Sequence, residues 1–357
     1  MKINLYNQPV LKRIRQATML SVVLLTLAGC TKDKTPGTET GNTFDGSTVK
    51  YVLNDNFNFS TVYAAFSSAK LIDTLAKTGP YTTLAPDNGS FQLVGIAEPL
   101  GTYSFQFYTG RRLVDMMRYS IIPGKISFRS IPLVQNKPLL TATGGNVYLS
   151  KYLNGTDTVT TINGVKLTSV DNAASNGYIQ VLPQVLNAET YHNALDYMHS
   201  DTTISLFAAA LNHANLDASV LSGSDAYTII APSNVAMQQS AKQGKNLGLS
   251  TLDSILKTDP VKLATLLKYH IIKDRYFEGD LYRYITTNPD GIATLNGAKV
   301  KIGGSSTGFH TITFTGNGNN GIAATIAVPK EYNLTVYNSN KPCGNAVIHI
   351  VNRVLIP

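Results

Sequence analysis

Three segments of this chain recur in the same order about one domain length further on, and a repeat of that kind fixes the architecture before any single element is assigned. Tyr81-Thr-Thr-Leu-Ala-Pro-Asp-Asn-Gly-Ser-Phe91 matches Tyr227-Thr-Ile-Ile-Ala-Pro-Ser-Asn-Val-Ala-Met237 without a gap. Met116-Met-Arg-Tyr-Ser-Ile-Ile122 matches Leu266-Leu-Lys-Tyr-His-Ile-Ile272, and Asn176-Gly-Tyr-Ile-Gln-Val-Leu-Pro-Gln-Val-Leu186 matches Asn345-Ala-Val-Ile-His-Ile-Val-Asn-Arg-Val-Leu355. The offsets are 146, 150 and 169 residues, so the second copy is longer by 23 between its outer motifs. Two homologous domains follow, 49–190 and 191–357, which agrees with a prior of roughly 150 residues per domain.

The first motif reads as a short buried strand closed by proline, then a turn and a helix start. Tyr81 to Leu84 and Tyr227 to Ile230 are β-branched, aromatic and aliphatic, and Pro86 and Pro232 remove a ladder donor. Asn88 and Asn234 stand at the following helix start, where a short polar side chain can cap an orphan N–H. Asp259-Pro260 opens another helix as N-cap and first helical residue, and Leu263, Leu266, Leu267 and His270 give it one face. Leu113, Met116 and Met117 do the same in the first copy. Ala346 to Val351 is almost continuously apolar and predicts a strand buried on both faces. Thr158 to Ile162, Asn163-Gly164 and Val165 to Leu167 predict a hairpin, as do Asn296-Gly297 and the residues after them. Helices early and hairpins late in each copy give an α+β class, not alternating βαβ.

In order and spacing, the Thr-x-x-Ala-Pro-x-Asn, Tyr-His and Asn-x-x-Ile-His-x-x-x-x-Val-Leu segments resemble the fasciclin domain, over nearly everything after residue 50. The resemblance implies two tandem domains, each a β-sandwich-like wedge with a helical layer, on an anchored or secreted protein of adhesion or matrix contact. It singles out Ala85, Pro86, Asn88 and Tyr119 in the first copy, and Ala231, Pro232, Asn234, Tyr269, His270 and His349 in the second. In animal members the Tyr-His pair has been linked to integrin binding, a partner we do not transfer to a bacterial chain. The other reading of Tyr269 and His270 is packing and hydrogen bonding at a helix-to-strand junction, with His349 a satisfied strand histidine. The first copy departs from the pattern: Ser120 follows Tyr119 where His is frequent, and Gln180 stands where the second copy has His349.

Residues 1–29 read as an export signal, with Lys2, Lys12, Arg13 and Arg15 before an apolar run from Met19 to Leu27. That run is far short of the about 20 residues a membrane span needs. Leu27-Ala28-Gly29-Cys30 resembles a bacterial lipobox, so Cys30 is expected to carry lipid and become the new N-terminus. Residues 30–48 then form a Thr/Gly/Asn-rich tether. Thr31 in place of Asp after the cysteine lacks the usual inner-membrane retention signal. Lys32-Asp33 resembles part of the tag that sends lipoproteins of the Bacteroidetes to the cell surface. The expectation is an outer-membrane lipoprotein displayed outward, with a periplasm-facing orientation as the alternative. Only two cysteines are present, so an acylated Cys30 leaves Cys343, in the turn Lys341-Pro342-Cys343-Gly344, without a disulfide partner. A Cys30–Cys343 bridge is the other possibility.

The formal charge of +8 loses four positive charges with the leader, leaving +4 with no basic run, so nucleic acid is rejected as the main partner. The six histidines fall into no His-x-x-x-His or His-Glu-x-x-His spacing, and there is no Cys-x-x-Cys pair, no nucleophile elbow and no phosphate loop. No cofactor or metal is expected, and the chain reads as a non-enzyme. A glycosidase's two carboxylates can be distant in sequence, which leaves glycan-active chemistry as a remote alternative. An anchor, a tether and two domains in series suit adhesion through multiplied weak contacts with an extracellular protein or glycan. Carbohydrate capture in a glycan-uptake system is the alternative, resting on Tyr103, Phe105, Phe107, Tyr108, Tyr276, Tyr282 and Tyr284, which could stack on sugars or fill the core. Asp73-Thr-Leu, Asp157-Thr-Val, Asp201-Thr-Thr and Asp253-Ser-Ile resemble a bacterial O-glycosylation sequon.

Overall fold

The computed structural model describes residues 47–93, 105, 110–243, 247–305, 311–327 and 338–357. The first copy begins with helices α1 (Val49–Asp55) and α2 (Ser60–Ser68), then β1 (Tyr81–Pro86), α3 (Asn88–Leu93), α4 (Arg111–Tyr119) and β2 (Ile121–Pro123). Its second half is strand only: β3 (Val134–Leu140), β4 (Asn146–Asn154), β5 (Asp157–Ile162), β6 (Val165–Lys166), β7 (Ser169–Ala174) and β8 (Gly177–Leu182). The second copy repeats this order with α5 (Ala194–Ser200), α6 (Ser205–His213), β9 (Tyr227–Pro232), α7 (Asn234–Gln238), α8 (Leu252–Lys257), α9 (Pro260–Lys268) and β10 (Ile271–Lys273). An extra helix, α10 (Glu278–Thr287), precedes β11 (Ile292–Ala293), β12 (Lys299–Gly303), β13 (Thr313–Thr315), β14 (Ala324–Thr325), β15 (Lys341–Cys343) and β16 (Ala346–Val351).

Each copy holds two four-stranded sheets, ordered β2-β1-β8-β7 and β3-β4-β5-β6 in the first, β10-β9-β16-β15 and β11-β12-β13-β14 in the second. The class is α+β with a helical layer, but the central pair of each first sheet is parallel, which hairpin reasoning does not foresee. The two copies share a register: Tyr81 lies opposite Gly177 and Tyr227 opposite Ala346. Parallel pairing joins the first repeat motif to the third, so the two most recognisable segments are sheet neighbours.

Those central strands separate two cores. Ala85 and Ile179 point to the helical side with Phe66, Phe91 and Met117, while Leu84 and Leu182 point to the second sheet with Tyr119, Val147 and Ile162. In the second copy Ile229, Ile348 and Ile350 face the helices, and Ile230 and Val351 face the second sheet. Burial on both faces explains why β16 has no polar alternation. Pro86 and Pro232 occupy the last parallel register, and the N–H of the next residue, Asp87 or Ser233, resumes the ladder to Leu182 or Val351. Proline thus stands where the strand needs no donor of its own. The Asn163-Gly164 turn has φ of 49° and 74°, both left-handed, as a two-residue hairpin between β5 and β6 requires.

Candidate functional site

The repeat motifs form internal braces. Asn88 and Asn234 are the first residues of α3 and α7, and the sequence expectation that they cap those helices needs correction. The side chain of Asp87 caps α3 through Ser90 N–H, and that of Ser233 caps α7 through Ala236 N–H. Asn88 instead accepts from Thr61 N–H at 3.0 Å and donates to Phe57 O and Ser60 Oγ, closing the N-terminus of α2. Asn234 repeats this on α6 through Leu206 N–H, Thr202 O and Ser205 Oγ. The residues before α2 and α6 are Phe59 and Ile204, which offer no capping oxygen, so the asparagine supplies it from the neighbouring element. Ala85 and Ala231 are fully buried on the strands that carry them.

Tyr119 and Tyr269 are also closed to solvent. Tyr119 Oη donates to Asn146 O at 2.6 Å and accepts from Asn163 Nδ2, and Tyr269 Oη donates to Lys299 O at 2.7 Å. Each tyrosine ties the end of a helix to the second sheet. Beside Tyr269, His270 Nε2 accepts from Leu355 N–H at 2.9 Å, which leaves the proton on Nδ1 facing Leu266 O at 3.2 Å. One neutral tautomer satisfies both contacts. Burial pulls the ring's pKa down to about 4 from 6.5. The unfolded chain therefore binds a proton that the folded one refuses, so this contribution to stability is full above pH 6.5 and is lost as pH falls toward 4. NMR titration should find the His270 ring neutral in the folded protein at about pH 5; a protonated ring there would contradict the assignment. In the first copy Ser120 Oγ keeps only the bond back to Met116 O. His349 Nε2 contacts Tyr276 O at 3.0 Å, while Gln180 pairs with Asp171. The side chains of Tyr119, Tyr269, His270, Gln180 and His349 are all buried.

Cys343 is not a turn residue: it lies on β15, fully buried, with burial pushing its thiol well above the ordinary range. Strand pairing with β16 buries it. Tyr276, Tyr282 and Tyr284 pack on the second-sheet core of the second copy, and Phe105 packs on the helical core of the first. Tyr103, Phe107, Tyr108 and Cys30 lie outside the described residues. Of the four Asp-Thr/Ser sequons, Asp157-Thr158 is exposed at the start of β5, whereas Ser254 is engaged in the capping box of α8. Among the described residues no group of three or more His, Cys, Asp or Glu side chains could hold a metal ion, and no helix is long and apolar enough to cross a membrane.

The contact between the two copies is built largely from residues outside the repeat motifs, Val347 excepted. Arg275, just after β10, lays its guanidinium 3.9 Å from the centre of the Tyr148 ring on β4 and donates to Gly344 O at 2.7 Å. Tyr148 Oη donates to Glu189 Oε2 at 2.8 Å, and Glu189 Oε1 accepts from Asn146 N–H. Asn136 Nδ2 donates to Arg275 O. Tyr148, Phe277 and Val347 make a small apolar cluster beneath this network. At Gly164 and Gly279 the two backbones touch: a Cβ on Gly279 would lie 2.0 Å from Gly164 O, so no side chain fits. Two clefts open beside the contact. One, of about 540 Å³, is lined by Arg111, Arg112 and Asp115 of α4, residues 185–188 after β8, Tyr191, Tyr197 and Lys341. The other, about 530 Å³, lies by Tyr152 and Arg283, whose guanidinium stacks 3.8 Å from the tyrosine ring.

The fasciclin domain model matches residues 57–188 and again 202–357. The chain belongs to the fasciclin domain family. It is 29% identical over 158 residues to Protein sll1483 of Synechocystis sp. (strain ATCC 27184 / PCC 6803 / Kazusa), covering 44% of this chain and 82% of that one. It is 25% identical over 290 residues to transforming growth factor-beta-induced protein ig-h3 of Sus scrofa, covering 81% of this chain and 36% of the relative, and 23% identical over 227 residues to stabilin-2 of Mus musculus, covering 62% and 8%. The chain thus spans about a third of the length of ig-h3. Among solved structures it is similar to a FAS1 domain pair of the insect cell adhesion molecule fasciclin I, with a TM-score of 0.39, 16% identity, and coverage of 85% of this chain and 98% of that one. Helix α1 lies before the first matched segment, yet Val49 and Leu53 belong to the first fasciclin core.

Proposed function

We propose that this fasciclin protein is a non-catalytic adhesion or ligand-binding lipoprotein, acylated at Cys30 and displayed on the outer face of the outer membrane. The family is one of adhesion and ligand-binding domains, and the observation that carries the reading is the fixed contact between its two copies. Both Tyr-centred motifs are consumed inside the fold, so partner contact falls to the exposed faces and clefts of the pair. Two domains in direct contact present a preorganised surface, which lowers the ordering cost of binding. The leader ending in Leu27-Ala28-Gly29-Cys30 supports the anchor, and Lys32-Asp33 supports outward display.

Cys30→Ser should abolish incorporation of labelled palmitate and release the protein from the membrane fraction. Retention of the variant on membranes would sink the anchor. Protease shaving of intact cells should digest the exposed domains, and protection of the whole chain would place it on the periplasmic side. Carbohydrate capture is the second reading, favoured by the tyrosine-walled cleft between the domains. Selective hits on a glycan array would support it, and silence there would leave protein adhesion.

A further inference from the structure

The cleft bordered by α4 and β15 gathers three cations from both copies. Arg111 and Arg112 come from the first turn of α4, and Lys341 from the start of β15. Among the described residues Asp115 is the one acidic side chain of the lining, and it sits 3.4 Å from Arg111 as an i,i+4 pair. Asp201 lies behind Lys341, with its oxygens taken up by Tyr197 Oη and by Thr203 N–H and Oγ1. Lys341 has no ion pair among the described residues; its ammonium stands 5.8 Å from the Tyr197 ring. Burial lowers its pKa to about 8, and the charge of Asp201 behind it offsets that cost only in part.

A half-buried ammonium with no carboxylate within ion-pair distance is a poor structural brace and a good anchor for an anion from outside. The remaining walls say what carries the anion. Tyr191 and Tyr197 meet edge to face with ring centres 5.4 Å apart, and Tyr191 stays partly open beside the cleft. A ring face next to fixed cations suits a sugar with an acidic substituent. The N-cap of α4 is Gly110, which offers no side chain to its first-turn N–H groups. At about 540 Å³ the cleft is in the range of small-ligand sites, which favour domain interfaces.

We propose that the cleft between the two domains binds an anionic saccharide, its carboxylate or sulfate held between Lys341 and the Arg111–Arg112 pair and a sugar ring lying against Tyr191. The inference rests on the ligand-binding reading of the domain pair and not on surface display, so failure of the shaving experiment leaves it standing.

Isothermal titration of the full-length protein in detergent tests it, with trigalacturonate and a heparin-derived sulfated disaccharide as probes and maltotriose and hexaglutamate as comparators. One of the acidic saccharides should bind at one site per chain, weaken with added salt, and exceed both comparators by about tenfold or more. Lys341→Met keeps the apolar stem, and Arg111→Gln changes a side chain that is 92% exposed, so the second tests the site with the fold untouched. Each should weaken binding by about tenfold. Silence with both acidic probes, equal binding of maltotriose, equal or tighter binding of hexaglutamate, or two variants that bind like the parent would each overturn the proposal.

Discussion

Asn345→Ala should destabilise the second domain by roughly 3–5 kcal/mol, among the largest effects expected of any single polar substitution in this chain. The Asn345 carboxamide is nearly closed to solvent and uses every side it has: Oδ1 accepts from Ala194 N–H, and Nδ2 donates to Leu221 O and Gly223 O, all at 2.8 Å. It stitches the loop before β16 to the start of α5 and to the segment before β9. Alanine removes one acceptor and two donors, leaving three backbone groups without their partner at a cost of about 1–3 kcal/mol each before relaxation. Asn345→Asp keeps the acceptor but aims a charge at two carbonyl oxygens, so it should be no milder. Asn176 repeats the device in the first domain with Val49 N–H, Leu75 O and Lys77 O. The two alanine variants should therefore lose similar stability, each in its own domain. Urea unfolding followed by hydrogen exchange checks this, and a loss under about 1 kcal/mol for either would refute the brace.

These asparagines show where sequence reasoning ran out. Asn176 and Asn345 stand in a matched motif, yet their partners lie about a hundred or more residues away. Local chemistry was legible where the partner is local. The Asn163-Gly164 turn and the Asp259-Pro260 helix start, with Asp259 accepting from Val261 and Lys262 N–H, follow from the residues themselves. Asn88 and Asn234 were read as caps of the wrong helix, because spacing cannot distinguish a cap on the next turn from one on a helix packed alongside. Cys343 looked like a turn residue because Pro342 and Gly344 flank it, while pairing with β16 decides its burial. Gly344 has a different reason to be glycine: a Cβ there would lie 1.9 Å from His192 O. The cleft cations come from separate motif-free segments, so no periodicity could assemble them.

The interdomain contact was invisible for the same reason, and it carries the second large effect. Arg275→Met should split thermal unfolding into two transitions, with the coupling between domains weakened by roughly 2–4 kcal/mol. Methionine keeps much of the packing volume against Tyr148 but loses the ring-face contact and the bond to Gly344 O. Glu189, 4% exposed and bonded to Tyr148 Oη, would then lose the nearest buried positive charge of that network. The side chain of Arg275 reaches the Tyr148 ring and Gly344 O at the contact, so each domain should keep its own fold. A single transition at the parent temperature, with the parent scattering profile, would show that the glycine contact and the apolar cluster hold the pair alone. The consequence reaches the cleft through a short path. Arg275 holds the carbonyl of Gly344, whose N–H donates to Tyr191 O at 3.0 Å, and Tyr191 forms the cleft wall. Loosening the contact should therefore weaken saccharide binding without altering any lining side chain, whereas Arg111→Gln should weaken binding and leave the unfolding profile intact. That opposite pattern separates a site made by its lining from one made by the angle between the two domains.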